Sequence, residues 1–221
     1  MTQPPFFDGR SFAALLFDMD GTLISSIDAA ERVWIRWAAR HGLDARTFLP
    51  SIHGKRAVDT IRDLKIPGVD PVAEAELLTL MEIEDTDGVR EIPGARSFLA
   101  ALPDSRWAIV TSAPRALATR RLEAAGVKLP GVLVTAEDVR VGKPDPSGYR
   151  LAADKLGVDA RDCVIFEDAD AGIRAGIAAG GQVVVVTATH THPLQTIHTS
   201  VANFVGLETR IAGARIEIIR R

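Results

Sequence analysis

The chain has 221 residues, of which 47% are hydrophobic and 25% charged, values that are typical of a globular protein and exclude a disordered or fibrous one. Its 26 basic and 29 acidic residues give a formal net charge of −3, so nothing in the charge balance favours nucleic acid or an anionic membrane as a partner. The single cysteine, Cys163, cannot form an internal disulfide bond and is predicted to be a core residue. Because no signal peptide or membrane-spanning apolar run is recognisable, we expect a cytoplasmic protein. A monomer or a small homo-oligomer is also expected.

The first predicted element is a strand at residues 12–17, a short apolar run of the kind found in sheets that are covered on both faces. About 90 residues separate it from the next such run, whereas a crossover between parallel strands needs only a dozen or so. Three helices are predicted in this interval. One opens with a capping-box pattern at Asp28, one covers residues 57–64, and one starts at Asp70-Pro71.

These helices predict an inserted α-helical domain at residues 26–89; extra helices packed on one edge of the sheet are the alternative. Beyond the insertion, short apolar runs alternate with stretches of helical spacing, which predicts an α/β fold with a Rossmann-like parallel sheet, formed by residues 1–25 and 90–221. The alternating tail, residues 215–221, could form an edge strand. The further predicted strands are residues 107–110, 132–134, 163–166 and 182–186, and the predicted helices between them are residues 114–125, 146–156 and 169–179.

Polar residues follow the predicted strands at the carboxyl ends, where open parallel sheets bind their ligands. Singly, each has an ordinary explanation as a helix cap or a turn. Together, several carboxylates at one sheet edge need a cation, and oxygen ligands suit Mg²⁺, while an ammonium and hydroxyl groups suit a phosphate. The residues are Asp18 and Asp20 after the first strand, Thr111 and Ser112 after the second, Lys143 after the third, and Glu167 and Asp168 after the fourth.

Four motifs occur in order between Leu16 and about Val186: Leu-Phe-Asp-Met-Asp-Gly-Thr-Leu, Val-Thr-Ser, Gly-Lys-Pro-Asp-Pro and Phe-Glu-Asp-Ala-Asp-Ala-Gly-Ile-Arg-Ala-Gly. This order resembles the haloacid dehalogenase (HAD) superfamily, which places a helical cap domain between the first two motifs. The long insertion is similar to the beta-phosphoglucomutase and sugar-phosphatase branch. The segments at residues 53–56 and 111–115 resemble the glycerol-3-phosphatase and 2-deoxyglucose-6-phosphatase group.

The resemblance implies a role for each motif residue. Asp18 would be the nucleophile that forms an aspartyl phosphate, and Asp20 the acid and base, with its backbone carbonyl on Mg²⁺. Asp18 and Asp168 would be carboxylate ligands of the metal, Glu167 a ligand or a support, and Lys143 the cation that neutralises the phosphate. The implied phosphate-binding and substrate-binding residues are Thr111, Ser112, the amide of Ala113, Arg115, His53, Gly54, Lys55 and Arg56.

We therefore expect a Mg²⁺-dependent phosphatase whose partner is a small phosphorylated sugar or polyol of about three to six carbons. Asp20 argues against a dehalogenase, which has no use for an acid two residues after its nucleophile. A mutase that passes the phosphate to a second sugar is the main alternative, although mutases of this branch usually carry a histidine where Ala30 falls. A phosphoglycolate-type phosphatase and a non-catalytic phosphosugar-binding domain are further alternatives.

Other polar and aromatic residues are predicted to be structural. Asp170 is either a further acidic partner of the site or the N-cap of the next helix, and the N-cap is favoured. His190 and His192 are predicted to lie in a solvated turn. Trp34 and Trp37 lie on the apolar side of the first helix of the insertion and are predicted to be core residues.

Overall fold

A computed structural model of the chain describes residues 7, 9–190 and 196–221. In this part of the chain, six parallel strands form the central sheet, which confirms the predicted α/β class. A short edge strand at Thr199–Val201 was not predicted because it is brief and largely polar. In spatial order the strands are β6 (Leu133–Val134), β5 (Trp107–Val110), β2 (Ala14–Phe17), β7 (Cys163–Glu167), β8 (Gln182–Val186) and β9 (Thr199–Val201).

Alternate residues of the central strands point to opposite faces of the sheet, and both faces are covered by helices. Phe17 and Phe166 pack on the face covered by α4 (Ala95–Ala100) and α5 (Arg115–Ala124). Leu16 and Ile165 pack on the opposite face, under α6 (Ser147–Lys155) and α7 (Asp170–Ala179). The three helices predicted after the strands are confirmed to within one residue at each end. Cys163 is buried in the core as predicted, and burial raises the pKa of its thiol to about 12.

A small antiparallel sheet lies beside the central one and contains β1 (Ser11–Phe12), β10 (Leu207–Ala212) and β11 (Arg215–Arg220). The prediction that the tail forms an edge strand was wrong, because β11 pairs with β1 on one side and with β10 on the other. Ile216 and Ile218 of this strand belong to the main core, which fixes β11 against the rest of the protein.

The interval between β2 and β5 contains α1 (Ile27–Arg40), α2 (Ala57–Leu64) and α3 (Pro71–Glu84). These helices bury a hydrophobic cluster of their own, which includes Trp34 and Trp37. The predicted capping box is wrong: the N-cap of α1 is Ser26, and its hydroxyl donates a hydrogen bond to Asp20 rather than to a helix amide. Short 3₁₀ helices lie at Ala45–Thr47, Leu49–Ser51, Asp104–Arg106, Ala136–Asp138 and Ala160–Asp162.

The chain passes twice between the sheet and the helical segment, and the two passages pair with each other as β3 (Ile24–Ser25) and β4 (Arg90–Glu91). The division into a core and a domain at residues 26–89 stays a prediction, and this strand pair lies at both of its borders. Among the described helices, none is long and apolar enough to cross a membrane.

Candidate active site

The loop that follows β2 carries Asp18, Asp20 and Gly21 and turns sharply at the carboxyl end of the sheet. The backbone N–H of Asp18 donates to the carbonyl of Phe166 at 2.9 Å, so Asp18 still lies in register with the sheet. Gly21 has φ of +88°, and a Cβ there would lie 2.0 Å from Oδ2 of Asp168. Only glycine allows both this backbone conformation and this close approach, and the turn therefore holds the first motif against the last.

Lys143 lies in the centre of the site and donates three hydrogen bonds from its ammonium. The acceptors are Oδ1 of Asp18, Oε1 of Glu167 at 2.7 Å and the carbonyl of Val110 at 3.1 Å. Burial opposes the charge, but the carboxylates of Asp18 and Glu167 outweigh it and raise the pKa of Lys143 above its usual value. Lys143 is therefore a fixed positive charge beside the predicted nucleophile.

Glu167 is fully buried, and both of its carboxylate oxygens accept hydrogen bonds. Oε1 accepts from Lys143 and from the hydroxyl of Tyr149 at 2.9 Å, and Oε2 accepts from the backbone N–H groups of the next two residues at 2.9 and 3.1 Å. A carboxylate has about four lone-pair positions, so these donors occupy its capacity. The geometry favours Glu167 as the support of Lys143 rather than as a metal ligand.

The carboxylates of Asp18, Glu167 and Asp168 form a buried acidic group, since one oxygen from each lies within 4.8 Å of the others. Burial raises the pKa of Asp18 and of Asp168 well above the usual value, and mutual repulsion adds to it, while Lys143 lowers both. The negative charge of three carboxylates exceeds the single positive charge of Lys143, and Asp18 and Asp168 each keep an oxygen that can accept a further contact. This hard, anionic oxygen donor set fits Mg²⁺.

Asp20 lies at the border between the sheet and the helical segment. Its Oδ1 accepts hydrogen bonds from the hydroxyl of Ser26 and from Nη1 of Arg121 at 3.0 Å. Arg121 projects from α5, and its Nη2 lies 3.3 Å from Oε1 of Glu82 on α3. Glu82, Arg121 and Asp20 therefore form a continuous charged group that joins the two parts of the protein.

Sequence reasoning missed Arg121 and Glu82, although both are buried. Burial raises the pKa of Glu82 to about 7 despite the nearby guanidinium. Burial also opposes the charge of Arg121, but Asp20 and Glu82 raise its pKa above the usual value. A signal was available: Arg121 follows the buried Leu117 by four positions, and Glu82 follows the buried Leu78 by four, so each charge occupies the apolar side of its helix.

Thr111, Ser112 and Ala113 follow β5 and line the same cavity as Asp18 and Asp20. The predicted phosphate-binding groups are engaged within the protein: the amide of Ala113 donates to Oγ1 of Thr111 at 3.1 Å, and the hydroxyl of Ser112 donates to the carbonyl of Gly54 at 2.9 Å. The Ser112 contact ties the loop after β5 to the helical segment.

Three of the four predicted cap residues, His53, Gly54 and Lys55, line the cavity. A Cβ on Gly54 would lie 2.7 Å from that of Ala169, so the loop packs closely on the last motif. Nε2 of His53 lies 3.3 Å from Oε1 of Glu31, which fixes the imidazole from α1.

Arg56 and Arg115 do not line this cavity, and their role as substrate-binding residues stays a prediction. Arg56 pairs with Asp59 at 2.6 Å and donates to the carbonyl of Arg140 at 3.2 Å, so it joins α2 to the loop before Lys143. Arg115 is the first residue of α5, where the helix phase directs it outward to Asp138 at 2.6 Å.

Two structural predictions near the last motif were also wrong. Ala169 is the N-cap of α7, and Asp170 is exposed and pairs with Arg174 at 3.1 Å. Nε2 of His190 lies 2.9 Å from the carbonyl oxygen of Asp168, so this histidine braces the motif instead of lying in a solvated turn; His192 lies outside the described residues.

The cavity over Asp18 is small, with a volume of about 90 Å³. Its walls come from both parts of the chain. Ala30, Trp34 and Ile52 supply apolar surface from the helical segment, and Glu82 and Arg121 also line the cavity.

Comparison with known proteins agrees with this geometry. A family model described as haloacid dehalogenase-like hydrolase matches residues 12–180. Hexitol phosphatase A from Escherichia coli is 44% identical over 177 residues, which cover 78% of this chain and 82% of the relative. The 2-deoxyglucose-6-phosphate phosphatase 2 from Saccharomyces cerevisiae is 36% identical over 197 residues, and the match covers 79% of this chain and 80% of the relative. The structure of a beta-phosphoglucomutase from Clostridium difficile has a TM-score of 0.71 at 22% identity, over 79% of this chain and 84% of that one, and shows the shared fold. The resemblance found in the motifs is confirmed, and the chain belongs to the haloacid dehalogenase-like hydrolases.

Proposed function

We propose that this enzyme is a Mg²⁺-dependent phosphatase that hydrolyses a small phosphorylated sugar or polyol through an aspartyl phosphate on Asp18. One observation carries the proposal: Asp18 is buried with Lys143 on one of its oxygens and Asp168 beside it, and both aspartates line the same cavity. A carboxylate that is held in this way needs no general base to act as a nucleophile.

The chemistry assigned to the side chains proceeds in two displacements. An oxygen of Asp18 attacks phosphorus, the bond between phosphorus and the ester oxygen breaks, and Asp20 gives a proton to the departing alkoxide. Asp20 then takes a proton from a water molecule that attacks the phosphoryl group, which releases phosphate and restores Asp18. Lys143 offsets negative charge throughout, because its ammonium is fixed beside Asp18.

The carboxylates of Asp18 and Asp168, together with the backbone carbonyl of Asp20, would hold Mg²⁺. When bound, the ion supplies positive charge that offsets the repulsion between a carboxylate nucleophile and an anionic phosphate. Glu167 contributes by anchoring Lys143 and the backbone of the last motif, as its four hydrogen bonds indicate.

The substrate class is inferred from the relatives and from the residues that line the cavity. Two relatives are phosphatases of hexitol and deoxyhexose phosphates. Ala30 lines the cavity where mutases of this branch carry a histidine, which supports transfer of the phosphoryl group to water. We further propose that residues 26–89 act as a cap whose contacts through Gly54 and Ser112 exclude water from the site.

The direct test is phosphate release from sorbitol 6-phosphate with and without Mg²⁺, in the wild type and in the Asp18→Asn variant. We expect the variant to lose activity by about a thousandfold or more. Asp170→Asn is the matched control, because Asp170 is exposed near the same motif. Tight binding of the sugar phosphate without release by the wild type would instead indicate a binding domain, and movement of phosphate between sugar positions would indicate a mutase.

A further inference from the structure

Arg121 has donor capacity that the described part of the chain leaves unfilled. The side chain is only 6% exposed, and Nη1 donates to Asp20. Within the described residues, Nε has no hydrogen-bond acceptor, and the one acceptor near Nη2 is Oε1 of Glu82 at 3.3 Å, outside hydrogen-bond geometry. A buried donor without a partner is costly, and both atoms belong to a side chain that lines the cavity. The unused donors therefore point to a ligand that supplies acceptor oxygens.

The charges around Arg121 restrict the kind of acceptor that it can take. Asp20 lies 3.0 Å from Nη1 and Glu82 lies 3.3 Å from Nη2, so one guanidinium is flanked by two carboxylates. When Asp20 and Glu82 are both ionised, this group carries a net negative charge. A second anion on the ligand would be repelled, whereas a neutral hydroxyl group can accept from Arg121 and donate to Glu82 at the same time.

We propose that Arg121 and Glu82 form a leaving-group subsite for the uncharged, hydroxylated carbon chain of the phosphate ester, and that this subsite selects against leaving groups that carry a carboxylate or a second phosphate. The inference rests on the proposed phosphatase function and adds to it the chemical class of the leaving group. It separates polyol phosphates from phosphoglycolate and from sugar bisphosphates.

The test compares two phosphate esters of equal carbon number. Glycerol 3-phosphate ends in a hydroxymethyl group, and 3-phosphoglycerate has a carboxylate in its place. Phosphate release is measured at about pH 8, where Glu82 is ionised in the folded protein, and the readout is the ratio of the two kcat/KM values. We expect the wild type to prefer glycerol 3-phosphate and the Glu82→Gln variant to lose about tenfold or more of that preference, because it loses one negative charge and a charged acceptor.

The ratio is unaffected by partial misfolding, since an inactive fraction lowers both rates equally. Glu84→Gln is the control on α3, because Glu84 is exposed two residues from Glu82, and it should keep the wild-type ratio. As a second measurement, the Kd values of both esters are determined by calorimetry for the Asp18→Asn and Asp18→Asn/Glu82→Gln variants. Addition of Glu82→Gln should reduce the preference for glycerol 3-phosphate in binding as it does in turnover.

The outcomes distinguish the two proposals. An unchanged ratio in Glu82→Gln, or equal use of both esters by the wild type, overturns the subsite. Failure of the wild type to release phosphate from any ester overturns the phosphatase function, and the binding measurement then still reports on the subsite.

Discussion

Replacement of Glu82 by glutamine is expected to change the way in which the stability of the protein depends on pH. Burial raises the pKa of Glu82 from its usual 4.5 to about 7, so the folded protein holds this proton more tightly than the unfolded chain does. The contribution of this proton to the free energy of unfolding is complete below pH 4.5, declines as the unfolded chain ionises, and is lost once pH passes about 7.

The size of the effect follows from the two pKa values. They differ by about 2.5, and each unit corresponds to about 1.4 kcal/mol, so the wild type should lose about 3 kcal/mol of stability from this group as pH rises. Glutamine has the same shape and does not ionise. Relative to the wild type, the Glu82→Gln variant should therefore gain most of this amount between about pH 5 and about pH 8.

The assay is urea unfolding of the wild type and of Glu82→Gln at a series of pH values. The measured quantity is the difference between their free energies of unfolding, in which the contributions of the other titrating groups cancel. Glu84→Gln serves as a control, since an exposed carboxylate should give a nearly flat difference. If the difference between the wild type and Glu82→Gln is also flat, Glu82 is already ionised near pH 5, and attraction to Arg121 outweighs burial. That result would refute the reasoning.

Two further predictions concern the buried charges around Asp18. Lys143→Met should lower the free energy of unfolding by about 3 kcal/mol or more, because it leaves buried carboxylates without their cation. The control, Lys155→Met, replaces an exposed side chain and should change this free energy by less than about 0.5 kcal/mol. Equal losses for the two variants in urea unfolding would contradict the argument. Mg²⁺ at about a hundred times its Kd should stabilise the wild type by about 2.7 kcal/mol, and Asp168→Asn should lose most of that gain in thermal unfolding with Mg²⁺ or EDTA. A full gain in the variant would remove Asp168 from the metal site.

The sheet and the centre of the site follow from the sequence because one physical rule connects them. Parallel strands end at a common edge, so polar residues after apolar runs must lie near one another. This brought together Asp18, Lys143 and Asp168, which lie far apart in the sequence. Local details were less accessible: the first predicted strand is divided at Ala13, whose amide donates to the carbonyl of Asp162 rather than within the sheet.

The arginines of α5 show why the rest of the site could not be predicted from motifs. The motif after β5 suggested Arg115, but helix phase directs that side chain outward and turns Arg121 inward. The partner of Arg121, Asp20, lies 101 residues away in the sequence, and no local pattern reports the pairing. Periodicity alone could have marked Arg121 as a charge on a buried face, although not what it contacts.

The position of Arg121 connects recognition of the leaving group with proton transfer to it. Nη1 donates to Oδ1 of Asp20, which also accepts from Ser26. Nε and Nη2 belong to the same rigid, planar guanidinium as Nη1. A ligand that fixes the positions of Nε and Nη2 therefore also fixes Nη1, which donates to Asp20. Because α5 supplies Arg121 and α3 supplies Glu82, this ordering requires both parts of the chain to lie together. Binding energy from the carbon chain of the ester can therefore contribute to placing the proton donor, at atoms that do not react.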